Sequence, residues 1–130
     1  MSYLAKQLSY WRKSAEEVIK TADILFKSNR LDACLFFCHL ALEKLLKGLV
    51  VQNTNAPAPP LHDLTKLADI AQIALSSKQK QDLRTITIFN IAGRYDDIKL
   101  SFYKKCTPSF TKKYSDITKT LVLWLKKSYH

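Results

Sequence analysis

The stretch CLFFCHLALEKLLKG, residues 34–48, is the most distinctive polar set in the chain, carried on an otherwise apolar run. His39, Glu43 and Lys47 recur every fourth residue, so on a helix they share one face. Glu43 precedes Lys47 in the order that favours pairing along a helix. Two readings stand open here. One is a solvent-side ion pair, which contributes roughly 0.2–0.5 kcal/mol; the other is a polar patch kept on an apolar helix for binding. A second cluster is GRYDD, residues 93–97. Arg94 has the fork geometry to hold a phosphate, and Tyr95 can stack or pack. Asp96 and Asp97 are adjacent, so on a helix their side chains diverge and cooperate poorly as an acid–base pair. Arg94 and Asp97 are also spaced to pair with each other. Cys34, Cys38 and His39 suggest metal ligands, but Cys38 and His39 point about 100° apart on a helix and no second Cys/His pair follows at zinc-like spacing. No metal and no cofactor are expected. There is no nucleophilic triad, Walker loop or G-x-G-x-x-G signature.

Helices must position these residues. Leu4, Leu8, Trp11, Ala15, Val18, Ala22 and Leu25 advance in steps of four and three, the stripe of a long amphipathic helix. KSNR at 27–30 breaks it. Leu31, Leu35, Cys38, Leu42, Leu45 and Leu49 predict a second helix from about 31 to 52. Phe36, Phe37, Ala41 and Leu46 make that helix apolar over much of its girth, as in a central helix or one that contacts two partners. A five-helix domain need not cover it fully, so a homodimer is expected. NTNAPAPP is a loop. Leu61, Leu64, Ala68, Ala71 and Leu75 predict a shorter third helix with Asp63 in its first turn, suited to the helix dipole. Ser76 or Ser77 caps a fourth. Ile88, Ile91, Tyr95, Ile98 and Phe102 keep the helical period straight through GRYDD, which predicts helix there with Tyr95 facing inward. After Pro108, Phe110, Tyr114, Ile117, Leu121 and Trp124 mark a fifth helix. The fold class is all-α, an up-and-down bundle of about five helices, with residues 1–130 as a single domain. The two glycines, Gly48 and Gly93, interrupt helical patterns at about 1 kcal/mol each relative to Ala. That cost points to close approach of a neighbouring helix or a ligand.

The composition, 47% hydrophobic and 25% charged, allows a real core and excludes intrinsic disorder. No run of about 18 uncharged apolar residues occurs, so no membrane span is expected. The N-terminal segment lacks a signal core, and three cysteines in apolar surroundings suit reduced, buried thiols. A cytoplasmic protein is the expectation. The net charge of +10 is uneven: residues 99–127 hold eight lysines and one acid, Asp116. That surplus suits an anionic partner such as RNA, a nucleotide or an acidic protein, or else a solvated helix face.

FFCHLALEKLLKGLV (36–50), LHDLTKLA (61–68) and GRYDD (93–97), in that order on a helical background, resemble the HEPN domain, a nucleotide-binding domain of higher eukaryotes and prokaryotes. The resemblance runs from about Leu4 to Trp124. It implies a helical bundle, commonly dimeric, that binds a nucleotide or works beside a minimal nucleotidyltransferase in a toxin–antitoxin-type system. On this chain it implies a binding site of Glu43, Lys44, Lys47, His62, Asp63, Arg94, Tyr95 and Asp96. Some toxin-type members are metal-independent ribonucleases, with an Arg and a His separated by four to six residues. That spacing is absent here. Arg94 is followed in those positions by Lys99, Leu100 and Ser101, Arg84 by Phe89, Asn90 and Ile91, and Arg30 by Leu35, Phe36 and Phe37. A general base needs an imidazole that titrates near neutrality, and a lysine is mostly protonated there. Members of this kind also usually carry Pro where Asp96 stands. The expectation is a binding module without chemistry of its own. A ribonuclease with a degenerate motif, its base drawn from His39 or His62, and an RNA or acidic-protein interaction module are the alternatives.

Overall fold

Ser2 starts the first helix, its side chain accepting a hydrogen bond from the backbone N–H of Ala5. That helix, α1, spans Tyr3–Lys27 and ends where Asn29 turns left-handed at φ 59°. α2 (Leu31–Thr54) likewise stops at a left-handed Asn55. Then come α3 (Leu64–Ile70), α4 (Ser77–Ala92), α5 (Asp96–Lys105) and α6 (Pro108–Lys126). The computed structural model describes residues 2–92 and 95–130, with the backbone alone at 96 and 97. Among the described residues there is no strand, and no helix is long and apolar enough to cross a membrane.

α2 is the axis of the all-α bundle and packs against each of the other five helices. Leu35, Leu42, Leu45, Leu46 and Leu49 are all buried on it, so much of the apolarity around its girth is covered within the chain. Leu31, Phe36, Phe37 and Leu40 are the large apolar residues of α2 that stay half-buried. The three cysteines are unpaired and buried in the core.

The expected fourth helix is two helices. Tyr95 is extended (φ −118°, ψ 122°) and begins a new helix instead of continuing α4. Its side chain is 56% exposed, not turned inward. Ile88, Ile91 and Ile98 are exposed as well. The buried face of α4 is set by Leu83, Ile86, Phe89 and Ala92 instead. Phe89 meets Phe102 of α5 and Phe110 and Tyr114 of α6 at ring-centroid distances of 5.4–6.2 Å. Burying these large rings outweighs burying the isoleucines. The period from Ile88 to Ile98 runs over exposed positions of two separate helices, and only its last member, Phe102, turns into the core. The third helix is also shorter than its apolar spacing predicts, because Gln72 takes a left-handed φ of 62° directly after it. Ser76 is the cap of α4. It accepts from Gln79 N–H at 3.1 Å while the Gln79 side chain accepts from Ser76 N–H at 2.9 Å, a reciprocal capping box.

Candidate functional site

His39, Glu43 and Lys47 share one face of α2 as their spacing requires, but that face is turned inward. Their residues are 1%, 6% and 7% exposed, so the solvent-side ion pair is excluded. The covering elements are α1 and the chain entering α3. Leaving a carboxylate there unpaired would be costly, and both of its oxygens are engaged. Glu43 Oε2 accepts from Lys47 Nζ at 3.2 Å, and Oε1 lies 2.8 Å from His62 Nδ1. His39 Nε2 is 2.8 Å from the carbonyl oxygen of His62, which can only accept, so His39 carries its proton on Nε2. His39 thereby ties the segment leading into α3 to the middle of α2.

His62 is the open member of this set. Its side chain is 46% exposed. With Nδ1–H donated to Glu43, the imidazole is fixed in one orientation, and Nε2 has no partner among the described residues. Lys44, one residue beyond Glu43, turns toward α1. Its Nζ sits 5.2 Å from the Tyr10 ring centroid and 5.4 Å from that of Trp11. Lys47 Nζ is also 5.4 Å from the Trp11 ring. Trp11 Nε1 is buried without a hydrogen-bond partner among the described residues.

Asp63 stands next to His62 but has a different task. It is the residue before α3, not within its first turn. Its carboxylate accepts from Thr65 N–H at 3.1 Å, Thr65 Oγ1 at 2.8 Å and Lys66 N–H at 3.3 Å. Burial pushes its pKa up, but these hydrogen bonds outweigh it and hold the carboxyl below its ordinary value. Tyr95 lies at the start of α5 with its side chain 56% exposed. Arg94 and the side chain of Asp96 lie outside the described residues. Glu43, Lys47 and His62 therefore converge with Lys44 beside them, Asp63 is engaged as a cap, and Tyr95 opens α5.

The sequence reading missed Tyr10, Trp11 and Tyr129. Trp11 lies on the apolar stripe of α1, but its partner depends on how α1 registers against α2. Tyr129 follows α6 and returns to α2, where its hydroxyl donates to the Leu45 carbonyl at 2.6 Å. A Cβ on Gly48 would stand 2.2 Å from that hydroxyl and 3.3 Å from Trp11 Cβ. Gly48 is thus a close-approach glycine, its neighbours being Tyr129 and α1.

A family model for the HEPN domain matches residues 8–128 of the chain. No curated protein and no solved structure gives a significant match.

Proposed function

The chain belongs to the HEPN domain family, and on that premise we propose that it is a binding module without chemistry of its own, recognising a nucleotide or a nucleotidyltransferase partner. The observation that carries this reading is the division of labour around Glu43. Its two oxygens are engaged by Lys47 and His62, so the buried pair is scaffold. His62 and Lys44 are what remain to meet a ligand. The His62 ring, held at Nδ1 by Glu43, leaves Nε2 open to a polar group of a ligand, and Lys44 adds positive charge beside aromatic rings. Arg94 supplies the phosphate-binding fork that its residue type suits. Pairing with a nucleotidyltransferase in a toxin–antitoxin-type system accords with the family, as does a cytoplasmic location with three unpaired, buried thiols.

A homodimer forms part of the proposal, through the outer face of α4 instead of α2. Ile88 and Ile91 are 55% and 42% exposed there. Sedimentation that shows a monomer at micromolar concentration, or a dimer unaffected by Ile88→Asp with Ile91→Asp, refutes that interface. The binding site is tested by calorimetry with nucleoside triphosphates on the wild type, His62→Ala and Lys44→Ala. Unchanged affinity in both variants refutes the placement.

A second reading, a ribonuclease with a degenerate motif, is favoured by one contact. A carboxylate 2.8 Å from Nδ1 of a half-exposed imidazole is the arrangement that orients a general base. Of the two histidines, His62 has this geometry, whereas His39 is buried and bonded to a carbonyl. Incubation of RNA with the wild type, His39→Ala, His62→Ala and Arg94→Ala decides it. Cleavage that none of these substitutions alters excludes the mechanism.

A further inference from the structure

We infer that α5 is a platform for single-stranded nucleic acid, with Tyr95 and Tyr103 as stacking surfaces and Lys99 between them on the phosphate backbone. This does not rest on the reading of the Glu43–His62 cluster and concerns a different part of the molecule.

Tyr95, Lys99 and Tyr103 follow one another at intervals of four, so they form one line along the helix. The Lys99 N–H donates to the Tyr95 carbonyl at 2.7 Å, which places Tyr95 on the first turn of that line although its own backbone is extended. The two tyrosines are 56% and 63% exposed, and neither takes part in a hydrogen bond through its hydroxyl or a ring pair among the described residues. Eight residues at about 1.5 Å rise set them ~12 Å apart, a span of three to four stacked nucleotides at about 3.4 Å each. Exposed aromatic rings interleaved with cations are what sequence-tolerant single-strand binding requires, since every base has a face to stack.

The charge agrees. Lys99, Lys104 and Lys105 are exposed and take part in no ion pair among the described residues. Beside the line lies a cavity of about 190 Å³ walled by Phe36, Phe37 and Phe102, which Lys99 and Asp32 also line. It is smaller than the roughly 300 Å³ at which drug-sized sites begin, and its aromatic walls suit one planar base. Asp32 can accept from a base amino group, while Lys99 meets the phosphate. A duplex keeps its bases stacked inward and cannot use tyrosine faces or the cavity. An acidic protein or an anionic membrane would use the lysines but gain nothing from the tyrosine spacing.

The test is fluorescence anisotropy with labelled oligo(U), oligo(dT) and a duplex, each of about twelve nucleotides, within the range of single-strand site sizes. Anionic phosphatidylserine vesicles form a further arm. The wild type is expected to bind both single strands at least tenfold more tightly than the duplex. Tyr95→Ala and Tyr103→Ala each weaken single-strand binding about tenfold, in line with the loss of one stacked base. Tyr103→Phe restores most of the affinity, because stacking does not need the hydroxyl. Lys99→Ala lowers the slope of log affinity against log salt by about 0.7. Both tyrosines are mostly exposed, so melting temperatures stay near the wild-type value and the loss is read as binding. Equal affinity for duplex and single strand, unchanged binding in both tyrosine variants, or binding to vesicles alone overturns the inference.

Discussion

Gly48→Ala tests whether the close approach at α2 is real. In an open helix the change would stabilise by about 1 kcal/mol through helix propensity. Here the new Cβ would lie 2.2 Å from Tyr129 Oη and 3.1 Å from its Cζ, so the ring must leave. Leaving gives up the hydrogen bond to the Leu45 carbonyl, worth about 1 kcal/mol, and much of the burial of the ring, worth about 1.5–3 kcal/mol. Trp11 Cβ at 3.3 Å limits how far the backbone can yield in the other direction. The net is a loss of about 2 kcal/mol. At about 4 °C per kcal/mol for a chain of this size, the melting temperature falls by about 8 °C. The partner is identified by a double-mutant cycle with Tyr129→Phe, which removes the nearest atom. In that background the cost of Gly48→Ala drops by about 1 kcal/mol. A Gly48→Ala protein that melts higher than the wild type, or one whose cost is the same with Phe at 129, refutes the argument.

Burial holds the Tyr129 phenol up, against the opposing pull of Arg12, so it stays protonated above the pH at which an unfolded tyrosine ionises. Stability is then full below about pH 10 and falls as pH rises beyond it, because the unfolded chain loses the proton first; alkaline melting curves show this decline, and Tyr129→Phe flattens it. Glu43→Ala leaves the Lys47 ammonium buried and unpaired and costs about 3–5 kcal/mol in urea unfolding, whereas adding Lys47→Met recovers most of the loss. Asp63→Ala removes the cap of α3 and lowers stability by about 1 kcal/mol, and Asp63→Asn by less. As the folded-state pKa of Asp63 is held down, its contribution is present above the ordinary aspartate range and fades as pH falls through it, a slope that Asp63→Asn removes.

α1, α2 and α6 were legible because each buries one continuous stripe and carries its own punctuation. KSNR, the asparagine after α2 and Pro108 stop or start helices through local backbone preference. The break between α4 and α5 was not legible. Isoleucines at helical spacing continue across it, and only the packing of Phe89 against Phe102, Phe110 and Tyr114 decides which side of each helix turns in. The face of His39, Glu43 and Lys47 was correctly placed by spacing, but not its burial. That depends on the segment before α3 folding back so that His62 reaches Glu43, 19 residues away in the chain. No local pattern encodes such a contact. Tyr129 stayed hidden for the same reason, though Gly48 in mid-helix was its one trace.

The lysine surplus after residue 98 now divides into two kinds. Lys112 pairs with Asp116 along α6, Lys119 bonds Asp23 of α1 at 2.6 Å, and Lys126 meets Glu16 of α1. The last two bridge α6 to α1, two helices that otherwise touch little. Lys119 holds the Asp23 carboxyl below its ordinary pKa by their hydrogen bond, as expected of a true pair. A solvated, fold-supporting face therefore explains the lysines of α6 that have acids opposite them. It does not explain α5. There Lys99, Lys104 and Lys105 stand with no acid engaged among the described residues, beside tyrosines that a folded chain has no structural need to expose. Lys113, over the Tyr114 ring at 5.5 Å, extends the same uncompensated charge onto the start of α6. Charge that the fold neutralises lies along the α1–α6 contact, and charge that it leaves open gathers around α5. An anionic partner drawn by the surplus would meet α5 first, and substituting the paired lysines of α6 would alter stability more than affinity.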